Sequence, residues 1–234
     1  MLERIDKIFA SCGVLTRSEC QTAVKRKKIT VNGEIVKSPS QKADIEKDEI
    51  LYENKIVELK KFVYIMLNKP NGVVSASEDG NCKTVVDILP ESYKRKGLFP
   101  CGRLDKDTVG LVIITNDGVS SHKRLAPKTH AEKVYYFETA DPVSIKDAEK
   151  ISNGVLLKDG YTTKPSKVKL LSNTSGEITL IEGKYHEIKR IFGSLGNKIT
   201  YLKRISFAGI LLDENLNEGE ARYLTKEEQD LFTK

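Results

Sequence analysis

The chain has 234 residues, 39% of them hydrophobic and 31% charged, with a net charge of +6 and a pI near 8.9. That balance can bury a core and solvate a surface, and the length suits a small domain beside a larger one. No apolar run approaches the roughly 20 residues that span a bilayer, and Met1 to Asp6 lacks the charged-then-apolar layout of a secretion signal, so a cytoplasmic protein without membrane contact is expected. The cysteines at 12, 20, 82 and 101 form no C-x-x-C pair, and with three histidines they do not complete a metal site, so reduced thiols and no metal are expected. Neither a dinucleotide fingerprint nor a P-loop is present, which points away from those cofactors. The basic excess points to a polyanionic partner.

From Arg4 to Lys28 seven basic residues (Arg4, Lys7, Arg17, Lys25, Arg26, Lys27, Lys28) face two acidic ones. Ile5, Ile8, Phe9 and Cys12 recur at helical spacing and predict an amphipathic helix ending near Gly13, with Arg4 and Lys7 outside the apolar stripe. Thr16-Arg17-Ser18-Glu19 is a capping box, so a second helix starts there, buries Cys20, Ala23 and Val24, and ends in the lysine run. Residues 28–36 alternate around Asn32-Gly33, a strong hairpin signal. Two short helices followed by a hairpin, with Arg4-Ile5-Asp6-Lys7, Thr16-Arg17-Ser18-Glu19 and Val31-Asn32-Gly33, resemble the S4 RNA-binding domain. A domain over residues 1–58 is expected, with Arg4, Lys7, Arg17, Lys25 and Arg26 as its RNA contacts and residues 58–61 as the linker.

The remainder, residues 62–234, reads as an α+β domain on a mainly antiparallel sheet. Strands are predicted at 62–67, 109–114, 133–138, 167–171 and 177–181, and helices at about 119–125, 143–151 and 185–195.

Gly102-Arg103-Leu104-Asp105-Lys106-Asp107-Thr108-Val109-Gly110-Leu111 places two carboxylates and two cations in a loop just before a buried strand, a place where a rigid scaffold can hold a functional group. Read alone, this string is as compatible with an ordinary charged turn. It resembles the G-R-L-D-x-x-T-x-G-L signature of pseudouridine synthases of the RsuA/RluA superfamily, which implies that Asp105 is the catalytic carboxylate and that Asp107, on a variable position, is a loop residue. Glu132-Lys133-Val134-Tyr135 resembles the K-x-Y motif of that family and implies that Tyr135 lies under the target base. Residues 182–190, Glu-Gly-Lys-Tyr-His-Glu-Ile-Lys-Arg, resemble its E-G-R/K-x-H-Q-V-K/R-R motif, with Glu187 in place of glutamine.

Helical projection puts Ile188, Ile191, Phe192 and Leu195 on one buried stripe, Lys189 at its flank, and His186 and Arg190 on the opposite side. The resemblance makes Lys189 the cation paired with Asp105. His186, on a polar face beside basic residues, reads as an RNA or structural contact, Arg103 beside Asp105 suits the space vacated by a flipped base or a flanking phosphate, and Lys184 and Arg190 add further RNA contacts. Tyr64 to Gly72, Thr163-Lys164-Pro165 and Gly219 to Thr225 are similar to RsuA-type enzymes of small-subunit ribosomal RNA. The implied protein is a monomeric isomerase of ribosomal RNA, acting on free RNA or on a partly assembled small subunit. Large-subunit RNA as target and a non-catalytic ribosome-assembly protein stay open; a metal-dependent nuclease would need more clustered carboxylates or histidines.

Overall fold

A computed structural model describes residues 2–56, 62–129 and 131–234. The linker expected at 58–61 lies outside the described residues. The chain divides into two compact units, Met1–Val63 with Glu91–Leu98, and Tyr64–Pro90 with Phe99–Lys234.

The first unit contains β1 (Leu2–Arg4), α1 (Ile5–Ser11), α2 (Arg17–Lys25), β2 (Ile29–Val31), β3 (Glu34–Ile35), β4 (Lys42–Asp44), β5 (Ile50–Tyr52) and β6 (Lys55–Ile56). Ile5, Ile8, Phe9 and Cys12 are buried, and the chain leaves α1 through Gly13 at φ +68°. The capping box of α2 forms in full: Glu19 N donates to Thr16 Oγ1 at 3.2 Å, and Thr16 N to Glu19 Oε2 at 2.7 Å. Its buried side, Cys20, Ala23 and Val24, meets α1 in the core. Asn32 (φ 51°) and Gly33 (φ 81°) make the left-handed pair that joins β2 to β3. These strands lie in a sheet of order β3-β2-β5-β6, while β1 pairs with β4. The unforeseen β1 carries Arg4, whose Nη2 lies 2.7 Å from Oδ2 of the buried Asp6. Arg95, from the segment Glu91–Leu98, donates from Nη1 to Cys12 O at 2.7 Å.

The second unit is α+β. Its elements are β7 (Tyr64–Lys69), β8 (Phe99–Cys101), β9 (Val109–Thr115), α3 (Gly118–Leu125), β10 (Lys133–Thr139), α4 (Ile145–Asn153), β11 (Lys167–Leu170), β12 (Ser175–Leu180), α5 (Glu187–Ser194), β13 (Ile199–Phe207), β14 (Ile210–Leu211), β15 (Ala221–Tyr223) and α6 (Lys226–Thr233). The sheet runs β11-β12-β10-β13-β9-β7-β15, with β8 on β9 and β14 on β13. Its named strand pairs are antiparallel except β13 with β9.

At that parallel junction Gly110 faces Arg204, and a Cβ on Gly110 would lie 2.4 Å from Arg204 O. With φ at +99° as well, the position admits glycine for two reasons. The strands β7 and β9 are buried throughout, and Tyr64, Met66, Leu111, Ile113, Phe207 and Phe232 pack into one cluster that α6 completes. Cys12, Cys20, Cys82 and Cys101 are free thiols.

Candidate active site

Residues 102–108 connect β8 to β9 and are tied down mainly by backbone bonds. Thr108 N donates to Asp105 O at 3.1 Å, Leu104 N to Ser75 Oγ at 3.1 Å, and Gly72 N to Lys106 O at 2.9 Å. Beneath the loop lies Lys69, the last residue of β7 and fully buried. Its Nζ donates to the carbonyls of Pro70 (3.0 Å), Lys106 (3.0 Å) and Thr108 (2.8 Å), so three donors meet three acceptors. Burial pushes the Lys69 ammonium down to about 8, while Asp107 and Asp105 oppose the shift. The loop is therefore sewn to the scaffold on both sides of its carboxylates.

Helix α5 brings a cation to this loop. Lys189 Nζ lies 2.9 Å from Asp105 Oδ2 and 2.5 Å from Asp107 Oδ1. Burial works against the Lys189 ammonium, but its bonds to Asp107 and Asp105 hold it above the usual lysine range. The bond from Lys189 in turn holds Asp107 below the usual carboxylate range. Such charge-assisted bonds fix Asp105 in orientation. Asp107 lies in the loop, as expected, and in addition shares Lys189 with Asp105.

One correction concerns His186. Helical projection sent it away from Lys189, yet its Nε2 lies 3.5 Å from Asp105 Oδ1. His186 precedes the first turn of α5 with left-handed backbone (φ 48°, ψ 37°), so helical periodicity does not apply to it. Arg190, inside the helix, does point elsewhere and pairs with Asp159.

Asp105, His186 and Lys189 border a small solvent-open pocket whose other walls include Arg103, Tyr135 and Lys184. Tyr135 comes from β10, is 8% exposed and sits opposite Ile178 and Arg204 in the sheet register. The pocket shares Arg103, Tyr135, Gly183 and Lys184 with an adjoining cleft of about 730 Å³. Six cations, Arg103, Arg124, Lys133, Lys164, Lys184 and Arg204, line that cleft, and Glu182 is its acidic lining residue.

Arg204 is nearly fully buried. It donates from Nε to Leu111 O at 2.7 Å and packs its guanidinium 5.1 Å from the Phe207 ring centre. Lys184 Nζ stands 4.8 Å over the Tyr161 ring, and Tyr161 OH donates to Glu182 Oε2 at 2.8 Å. Sequence reasoning gave no site role to Lys69, Arg124 or Tyr161. The strand predicted at 62–67 stops two residues short of Lys69, which closes β7 in the structure.

In the first unit Arg4, Lys7, Arg17, Lys25 and Arg26 are all exposed. Arg4 is paired with Asp6, and Lys7 with Glu3 at 3.1 Å. Among the described residues no group of three or more His, Cys, Asp or Glu is arranged to hold a metal ion, and no helix is long and apolar enough to cross a membrane.

Residues 63–194 match the family model for RNA pseudouridylate synthase, and residues 3–50 that for the S4 domain. Similar proteins include an uncharacterized RNA pseudouridine synthase of Bacillus subtilis, 39% identical over 98% of this chain and 98% of that one. The ribosomal small subunit pseudouridine synthase A of Haemophilus influenzae is 40% identical over 99% of this chain and all of its own length. A crystal structure of a pseudouridylate synthase superposes with a TM-score of 0.70 at 38% identity, covering 98% of this chain and 99% of that one.

Proposed function

Because the chain belongs to the RNA pseudouridylate synthase family, we propose that it isomerises one uridine of small-subunit ribosomal RNA, with Asp105 as catalytic carboxylate. The observation that carries this reading is the convergence of Lys189 and His186 on Asp105 beside a pocket walled by Tyr135. The reaction breaks the N1–C1′ bond, turns the uracil and forms C5–C1′. C5 loses a proton and N1 gains one, so no atom is consumed and the net change needs no oxidant.

An ionised carboxylate can serve this chemistry as a nucleophile toward the sugar or as a base, and the bond from Lys189 holds Asp105 in orientation. Tyr135 supports the base.

A stacked uridine is out of reach, so the nucleotide must leave its helix or loop at a cost of a few kcal/mol. Arg103, exposed at the mouth shared by pocket and cleft, suits the vacated space or the flanking phosphate. The cations of the cleft, Lys184 among them, suit further phosphates. Residues 1–58 act as an S4-like anchor beside a catalytic domain over 62–234, through Arg4, Lys7, Arg17, Lys25 and Arg26.

The choice of small-subunit RNA rests on the relatives named for that substrate, and we assign a monomer working in the cytoplasm. Incubating the protein with small-subunit RNA, large-subunit RNA and a short oligonucleotide carrying the modified uridine, then mapping pseudouridine, tests the assignment. One product site in the folded small-subunit RNA and little in the oligonucleotide is expected, because structured RNA is read by shape and by unstacked bases. Product confined to large-subunit RNA overturns the target, and no product in any RNA or assembling particle overturns the activity.

A further inference from the structure

Between β12 and α5 the chain makes a tight turn, residues 184–187, that supplies Lys184 and His186 to the pocket. One residue closes it twice. Glu187 N donates to Lys184 O at 3.2 Å, and Glu187 Oε2 accepts from Lys184 N at 2.8 Å. Inside the turn His186 is held in left-handed backbone, a conformation that a non-glycine residue keeps when its surroundings over-determine it.

The second oxygen of Glu187 is the anomaly. Glu187 is 4% exposed, and its Oε1 meets no hydrogen-bond partner. The side chain that acts on it most directly is another carboxyl, that of Glu182, whose hydrogen bonding to Glu187 favours the protonated form. The two oxygens of Glu182 already accept from Tyr161 OH (2.8 Å) and Lys164 N (2.9 Å). Two facing carboxylates in a desolvated site cannot both be charged at low cost, and an orphaned buried oxygen is satisfied once it carries a proton.

We propose that Glu187 is a positioning residue that works as a neutral carboxylic acid, donating through Oε1 to Glu182 and accepting through Oε2 from the Lys184 amide. This pair of bonds ties the turn to the end of β12 and so sets His186 and the first turn of α5, which carries Lys189, against Asp105.

Burial, and then Glu182, pushes the Glu187 carboxyl up to about 8, while the Lys184 amide and the Lys133 charge pull against it. Glu182, although partly buried, is kept below the usual range by its bonds from Glu187, Lys164 and Tyr161. The proton therefore belongs to Glu187. The charged and titratable groups around the pair include Lys133 and Tyr135 from β10, Arg204 from β13, Lys189 from α5, Arg103 and Asp105 from the loop before β9, and Tyr161, Lys164, Lys184 and His186 from the flanking loops. Lys133, itself lowered by burial and by Arg204, pulls against the shift of Glu187 without reversing it.

The inference rests on the proposed isomerase activity only for its kinetic readout. Carbon-13 NMR of glutamate-labelled protein should show one side-chain carboxyl titrating near 8, absent from Glu187→Gln. If every glutamate carboxyl titrates below pH 6, the proposal is overturned whatever the enzyme does. In the kinetic arm, one ionisation near 8 leaves about a tenth of the molecules neutral at pH 9, so kcat should fall about tenfold there relative to its low-pH plateau. Glu187→Gln, whose amide donates at every pH, should lose that component of the alkaline fall. Glu187→Ala should lower kcat at pH 7 and pH 9 alike, with KM little changed. An alkaline fall of equal size in wild type and Glu187→Gln contradicts the proposal.

Stability gives a third readout. With the folded value above the unfolded one, this group's contribution is complete below about pH 4.5 and declines as pH rises to about 8. The melting temperature of Glu187→Gln should therefore vary less than wild type over that window. If the titration is found but no RNA is modified, the isomerase reading fails and the protonated Glu187 stands.

Discussion

The molecule uses its positive charges in two contrasting ways. In the second unit Lys69 is fully buried on three carbonyls, Lys189 bridges two carboxylates, and Arg204 is nearly fully buried. In the first unit Arg17, Lys25 and Arg26 stand exposed along α2 and its end. A charge that must act on one atom has to be held in place, and burial with complete pairing does that. A charge that grips a phosphate backbone gains by release of counterions, and it needs access to solvent more than fixation. The contrast predicts that similar substitutions in the two regions change different observables.

The largest effect is expected from Lys69→Met, which leaves the carbonyls of Pro70, Lys106 and Thr108 without their shared donor. Removing one partner of a buried polar cluster costs about 3 kcal/mol or more, so denaturant unfolding should show a clear loss and kcat should fall as the Asp105 loop loosens. A melting curve equal to wild type would mean that the loop does not depend on its buried lysine.

Lys189→Met should act on rate more than on folding. Asp105 and Asp107 would then face each other without their cation, and kcat should drop by about 10²-fold while RNA affinity changes little. An equal loss in affinity would make Lys189 an RNA contact instead. The smallest stability effect belongs to Arg17→Gln, Lys25→Gln and Arg26→Gln combined, each within about 0.5 kcal/mol. Each lost phosphate contact should nonetheless reduce the log–log salt slope of RNA binding by about 0.7 to 0.9. A slope that stays the same would show that this face is merely solvated.

Local signals made much of this legible in advance. The Thr16–Glu19 capping box and Asn32-Gly33 each specify one geometry by short-range chemistry, and both occur as read. The pairing of Asp105 with Lys189, 84 positions apart, could be expected only through resemblance, since no local rule joins them.

Part of what stayed hidden is polar residues in buried places. Strand β13 lies between β10 and β9, yet its buried positions include Arg204 and Ser206, so its alternation reads as a basic segment rather than a strand. Lys69 fell two residues beyond the strand predicted at 62–67, whereas β7 runs on to include it. His186 was misplaced because a helical projection was applied to a residue that lies just outside the helix. Asp107 was set aside because a variable position in a motif says nothing about what one particular chain does with it.

The central claim is that Asp105 carries out isomerisation of a uridine in small-subunit ribosomal RNA. Its most direct test compares ribosomal RNA from cells lacking this protein after complementation with wild type or with Asp105→Asn. The substitution keeps size and removes the charge, and general acid–base help alone is worth about 10²–10⁴-fold. Wild type should restore one pseudouridine in small-subunit RNA. Asp105→Asn, at equal protein level and with RNA affinity retained in a parallel binding assay, should restore none. Restoration of that site by Asp105→Asn, even at a hundredth of the wild-type rate, would contradict the account.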